Sequence, residues 1–289
     1  MSESGHEHRK QNREVPYPTE ALQQHNALEN YFVDVINSDV PDFETLPDSF
    51  TSGALDTYAS WVAELTANDP QHRERSSFIF YNPKKQQFIF PPNPLLGDEF
   101  SAKTLITNSP GKNYPLVRVH SHPDSTAFST TDIKRSLRTT GFWSSNYNDS
   151  IAELLGTYRG NYLVLTTAQS QFFPPDEVDE LANYLNSNIS NAIAGRHAQQ
   201  ATLLKDLGLS EQEIVDFLNR LNKKEHEIFG SDISTLATTV NYTALLASKF
   251  QFGFYYSEGN GKFEKHTPER IHELKLEADQ LFYDMVRKI

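Results

Sequence analysis

In the stretch LVRVHSHPDSTAFSTTDI, residues 116–133, two imidazoles and a carboxylate are spaced so that one ion can take all three. LVRV is a short apolar strand that delivers His120 and His122 from its end, and side chains at i and i+2 of an extended segment point the same way. Pro123 ends the strand, since proline donates no ladder hydrogen bond. STTD then has the form of a helix start, with Ser129 as N-cap and Asp132 in the first turn, where the helix dipole favours a carboxylate. If the intervening loop folds back, Asp132 joins His120 and His122. Two histidines and one carboxylate, with a fourth position left to water, are the ligand set of an open catalytic zinc site. Each half of the pattern has an ordinary reading alone: ten histidines in 289 residues produce an HxH by chance, and STTD is a common capping signature. The two in succession predict a zinc centre.

HSHPDSTAFSTTD resembles the signature of the JAMM, or MPN-type, metalloproteases of the JAB superfamily: HxHP, a loop, then SxxD, with a glutamate upstream. The loop between His122 and Ser129 is one residue shorter than in the commonest family form, as in some bacterial branches. The resemblance implies Zn2+ ligands at His120, His122 and Asp132, and a catalytic Ser129 beside the attacking water or the developing oxyanion. The family's glutamate follows an amphipathic helix and lies on or just before an early strand. Glu74 occupies that place, after the helix ending near Asn68 and before SSFIFYNPKKQQFIF. A carboxylate beside an activated water can take its proton and pass it to the leaving amine. Glu74 can equally be one charged residue of HRER, and Glu64 and Glu99 are its rivals.

The activity so implied is zinc-dependent hydrolysis of a peptide or isopeptide bond in a protein substrate. A ubiquitin or ubiquitin-like conjugate is one such substrate, as for a deubiquitinase. Two other readings stay open: a non-catalytic MPN-like scaffold or interaction protein, and a metal-dependent effector or toxin domain with a helical targeting region. The resemblance covers about residues 50–175 and does not extend to the flanking segments. After Asp132, Phe142, Trp143 and Tyr147 fall in a Gly/Ser/Asn-rich loop. Family members use insertions here to grip a ubiquitin-like partner, so these aromatics are candidates for a substrate loop; closing the core is the competing role. His226, His266 and His272 lack metal-ligand spacing, and HEIFG lacks the second histidine of HExxH. No GxxxxGK[ST], GxGxxG or GxSxG occurs, so nucleotide and serine-hydrolase chemistry have no support.

The elements that must position these residues follow from periodicity. Residues 1–16 read as a disordered lead-in, and residues 17–50 as an N-terminal helix, Thr19 to about Asn37, followed by a linker at 38–51. SGALDTYASWVAELTAN carries Leu55, Tyr58, Ala59, Val62 and Leu65 on one helical stripe. SSFIFYNPKKQQFIFPP reads as two strands joined by a turn at Asn82 and Pro83; AKTLITN, YPLVRVHSH and NYLVLTTAQSQFF are further strands. Residues 51–175 are thus expected to form the JAB/MPN-like domain. Residues 176–289 form a mostly helical extension, with helices at about 176–204, 210–228, 232–248 and 268–288 and a hairpin at 250–265. The fold class is α/β, a mixed sheet flanked by helices; the resemblance implies the JAB/MPN, cytidine-deaminase-like arrangement.

Composition bounds the partners. The net charge of −12 and the absence of a basic run argue against nucleic acid. No cysteine is present, which excludes disulfides, thiolate metal sites and thiol nucleophiles. No apolar run reaches the roughly 18 residues of a membrane span, and MSESGHEHRKQNREVPYP lacks the apolar core of a classical signal peptide. The expected location is the cytoplasm, or outside the cell as an effector exported by a non-classical route.

Overall fold

Tyr114–Ser121, the strand that leads to the histidines, lies inside the sheet rather than at its edge, and its residues 116–121 are buried on both faces. The computed structural model describes residues 15–24, 42–82, 84–85, 87–97, 114–124, 126–129, 132–133, 152–170, 175–229, 233–266 and 268–288. Among these, the strands are β1 (Ser49–Thr51), β2 (Arg75–Asn82), β3 (Gln87–Ile89), β4 (Leu95–Leu96), β5 (Tyr114–Ser121), β6 (Ala152–Gly156), β7 (Asn161–Leu165), β8 (Gly253–Ser257) and β9 (Lys262–Lys265). The helices are α1 (Thr19–Gln24), α2 (Gly53–Ala67), α3 (Pro175–Asp206), α4 (Glu211–Phe229), α5 (Ile233–Phe250) and α6 (Pro268–Val286). The strands form one mixed sheet in the order β1-β9-β8-β7-β6-β5-β2-β3, with β4 paired to the start of β2. β5 and β6 run parallel, and the other pairs are antiparallel. This is the expected α/β class.

Alternation along β5 divides the molecule. Val117 and Val119 face a core built with α2, whose Leu55, Tyr58, Ala59 and Val62 are fully buried on the predicted stripe. Each such aliphatic side chain contributes about 1.5–3 kcal/mol when removed from water. The opposite face, beyond Leu155, Tyr162, Val164 and Phe254, packs against Leu236, Val240, Leu246 and Phe250 of α5 and Ala278 of α6. A third cluster, Leu204, Phe217, Leu221 and Phe282, ties α3 and α4 to α6. No helix among the described residues is long and apolar enough to cross a membrane.

Three features differ from the sequence expectations. The segment read as a linker ends in β1, which pairs with β9, and Leu46 and Phe50 within it are buried. β6 was not expected: AELLG is short, and Glu153 interrupts the continuous apolar run that marks a strand covered on both sides. The hairpin at 250–265 forms β8 and β9, with Gly259 and Gly261 at φ +81 and +82 in its turn. It is not an appendage of the helical segment: β8 pairs with β7 and continues the sheet across residue 175. Residues 1–14, the predicted first helix beyond Gln24 and the strand expected at AKTLITN lie outside the described residues.

Helix α2 is locked onto the sheet by a polar staple and a steric one. Buried Asp56 accepts from Asn161 Nδ2 and from the Gly261 amide, both at 2.7 Å, and so joins α2 to β7 and to the β8–β9 turn. At Gly156 an added Cβ would stand 2.2 Å from the Ala59 carbonyl oxygen. Gly156→Ala is therefore expected to push α2 off β6, costing about 2–3 kcal/mol. Chemical denaturation measures it, and a variant as stable as the parent would contradict this packing.

Candidate metal centre

The register of two strands brings the first pair of groups together. Ser76 of β2 is the cross-strand partner of His120 of β5. The strands are antiparallel, so Glu74, two residues before Ser76, falls opposite His122, two residues beyond His120, and on the same face of the pleat. Glu74 Oε1 stands 4.0 Å from His122 Nε2. The Gly97 amide donates to the Glu74 carbonyl at 2.8 Å, and Asp69 pairs with both flanking arginines, Arg73 at 3.0 Å and Arg75 at 3.6 Å. These contacts fix the backbone on either side of the glutamate.

The second half of the site is a helix start. The Ile133 amide closes the first turn on the Ser129 carbonyl at 3.1 Å. Ser129 and Asp132 cap each other: the Asp132 amide donates to Ser129 Oγ at 3.2 Å, while the Ser129 amide and hydroxyl donate to Asp132 Oδ2 at 2.9 and 2.5 Å. This leaves Asp132 Oδ1 directed at His120 Nε2, 3.6 Å away, and Oδ2 lies 3.5 Å from His122 Nε2. One ligand atom from each of His120, His122 and Asp132 falls within 4.8 Å of the others. Tetrahedral bonds of about 2.0–2.1 Å to imidazole nitrogen set neighbouring donors about 3.3 Å apart, so the 3.6 Å between Asp132 Oδ1 and His120 Nε2 is close to that of a loaded site.

The far ring nitrogens determine which nitrogen is offered. His122 Nδ1 faces the Thr126 carbonyl oxygen at 3.1 Å and Thr126 Oγ1 at 3.2 Å. Thr126 Oγ1 gives its own hydrogen to Asp124 Oδ1, at 2.5 Å, so both groups facing the ring are acceptors. The proton thus sits on Nδ1, and Nε2 keeps its lone pair for a cation. His120 Nδ1 lies 3.1 Å from Glu153 Oε1, which is also 3.1 Å from Arg118 Nη1. His120 Nε2 is buried and makes no hydrogen bond among the described residues. A buried ring nitrogen without a hydrogen-bond partner, and aimed at a carboxylate, suits the role of a metal ligand. The group can hold one.

The fold reaches the site from its C-terminal half. Phe128 packs on the His120 ring with centroids 5.7 Å apart. The Ala127 amide donates to Thr239 Oγ1 at 3.2 Å, and the Thr243 hydroxyl donates to the Phe128 carbonyl at 3.3 Å, both threonines lying on α5. The loop between the histidines and Asp132 is thereby held by a helix more than a hundred residues away in sequence.

His120, His122, Asp132, Ser129 and Glu74 thus come together. The hydroxyl of Ser129 is engaged by Asp132, so it meets an oxyanion only after rotating away. Phe142, Trp143 and Tyr147 lie outside the described residues. The sequence reading did not pick out Glu153, Arg118 or Thr126. The signal was present for two of them: a charged residue in LVRV and another in AELLG, each in a strand buried on both faces, must find a partner.

The protonation of the group is coupled. Burial alone lowers the His120 pKa, but the Asp132 charge, and after it Glu153, reverse this and raise it from 6.5 to about 9. His122 is raised as well, burial being outweighed chiefly by Asp132. Burial pushes Asp132 up, but the two imidazoles hold it well below the usual carboxylate range. At neutral pH a metal must displace the His120 proton, so apparent affinity is expected to climb with pH and level off above about 9. The slope is up to about tenfold per pH unit for each proton displaced. Zinc titrations between pH 6 and 9 read this directly, and an affinity independent of pH below 8 would contradict the assignment.

No family model, curated protein or solved structure matches this chain, so a functional reading rests on the residues and geometry above.

Proposed function

We propose that this protein is a zinc-dependent hydrolase of amide or isopeptide bonds, of the JAMM type, acting on a protein substrate such as a ubiquitin-like conjugate. The observation that carries the reading is the 4.0 Å approach of Glu74 to His122, beside the ligand group. Two histidines and a carboxylate are a zinc donor set of the catalytic kind, which leaves a coordination position unfilled by protein. Exposure fits that use. The side chains of Glu74, His122 and Asp132 keep 11%, 10% and 12% of their accessibility, while His120 keeps 1%. His120 therefore forms the floor, and the other three the mouth that a substrate carbonyl approaches.

A zinc ion held there supplies Lewis-acid polarisation of the scissile carbonyl and an acidified water. Glu74 takes a proton from the attacking water and returns it to the departing amine, which is a lysine side chain where the bond is an isopeptide. Ser129 holds Asp132 in register through Oδ2 and supports the developing oxyanion on rotating its hydroxyl. The chain's charge of −12 favours basic or neutral protein partners.

The test is a panel of ubiquitin chains and ubiquitin-like fusions incubated with zinc-loaded protein and with Glu74→Gln. The substitution is expected to lower kcat/KM by about 10²–10⁴-fold with zinc content unchanged. Cleavage that survives it removes Glu74 from the chemistry. Stoichiometric zinc without turnover of any amide points instead to a metal-bearing scaffold.

A further inference from the structure

We infer that Glu153, anchored by Arg118, is a positioning residue for the metal centre, holding the His120 ring so that Nε2 is the nitrogen presented to the ion. The inference rests on the metal-site reading and adds to it a buried trio built for that site rather than for stability.

The trio follows from register. β5 and β6 are parallel, and Arg118 and Glu153 are directly paired across them. His120 lies two residues beyond Arg118 and therefore on the same face of β5. All three side chains are buried, with residue exposures of 4% for Arg118, 1% for His120 and 1% for Glu153. One carboxylate oxygen, Glu153 Oε1, serves both neighbours at 3.1 Å: the guanidinium of Arg118 and the Nδ1 edge of His120. Both approaches lie off the hydrogen-bond axis, so the contacts are electrostatic before they are directional.

The chemistry of imidazole gives this contact its use. A free neutral histidine side chain favours the proton on Nε2, the tautomer that cannot bind metal through that atom. A carboxylate at Nδ1 favours the proton there, frees the Nε2 lone pair and raises the basicity of the ligand. Glu153 fills that place, and no other acidic side chain among the described residues pairs with Nδ1 of His120. Arg118 has the complementary task. Its guanidinium, 3.1 Å from Glu153 Oε1, is the countercharge that offsets the cost of burying the carboxylate. A pair of ions in a packed interior contributes little to stability, and apolar side chains of similar volume commonly replace it without loss. A site for a charged ligand at the third member of the trio gives the pair a purpose that stability does not.

The experiment compares the parent, Glu153→Gln and the double variant Arg118→Met/Glu153→Leu. Zinc affinity is measured by competition with a chromophoric chelator, the cobalt form by its visible absorption, and metal-free stability by denaturant unfolding. The His120 tautomer is read from long-range 1H–15N spectra. The expected result is a loss of zinc affinity of about 10–100-fold in the double variant and a smaller loss in Glu153→Gln, with an altered cobalt spectrum and metal-free stability retained. In metal-free spectra recorded at a pH where the ring is neutral, the His120 signal moves from the Nδ1–H towards the Nε2–H form. Parental affinity and cobalt spectrum in both variants overturn the inference while leaving the metal site standing. Loss of the fold in the double variant, with Glu153→Gln binding zinc as the parent does, assigns the trio to stability and overturns it too. A parent that takes up no zinc overturns the metal reading together with this one.

Discussion

Burying two imidazoles and a carboxylate within 4.8 Å of one another obliges the surrounding chain to account for every other polar atom of those groups. Three sets of neighbours face those atoms. Thr126 and Asp124 take the back of His122, Glu153 and Arg118 take the back of His120, and Ser129 takes one oxygen of Asp132. Once those atoms are engaged, Nε2 of each ring and Oδ1 of the aspartate remain, and they face one another. A metal site is in this sense what is left over after the neighbouring hydrogen bonds have been assigned.

The architecture explains why so many distant segments are involved. The centre sits at the carboxyl end of β5, beside the only parallel pair among the described strands, where an α/β sheet opens a crevice. β2 reaches it by antiparallel register, β6 by parallel register, and α5 by two threonine hydroxyls on the loop between the ligands. The C-terminal half is therefore structurally continuous with the site, through the sheet as well as through the helix. Displacing β8 from β7, or α5 from residues 127–128, would loosen the ligand loop even though neither element supplies a ligand.

Local pattern made part of this legible. His120 and His122 could be read from strand alternation, Asp132 and Ser129 from capping chemistry, and the helices after Pro175 from their period. The α2 stripe was equally plain, because its apolar residues recur at helical spacing. What escaped was non-local. β6 is a five-residue strand whose buried charge makes it look like a loop until Arg118 is placed opposite it. β1 is short and pairs with a strand more than two hundred residues away, and such pairing leaves no mark on the nearby sequence. The tautomer-setting partners escaped for the same reason: Glu153 and Thr126 are ordinary residues until register or loop closure turns them towards a ring nitrogen.

The most direct measurement of the central claim is X-ray absorption at the zinc edge on protein loaded with one equivalent of zinc, paired with His120→Ala. The account requires a first shell of nitrogen and oxygen donors alone, with the outer-shell scattering of two imidazoles, falling to one in the variant. Substoichiometric uptake by the parent, or a shell that shows no imidazole and does not change on losing His120, would contradict it.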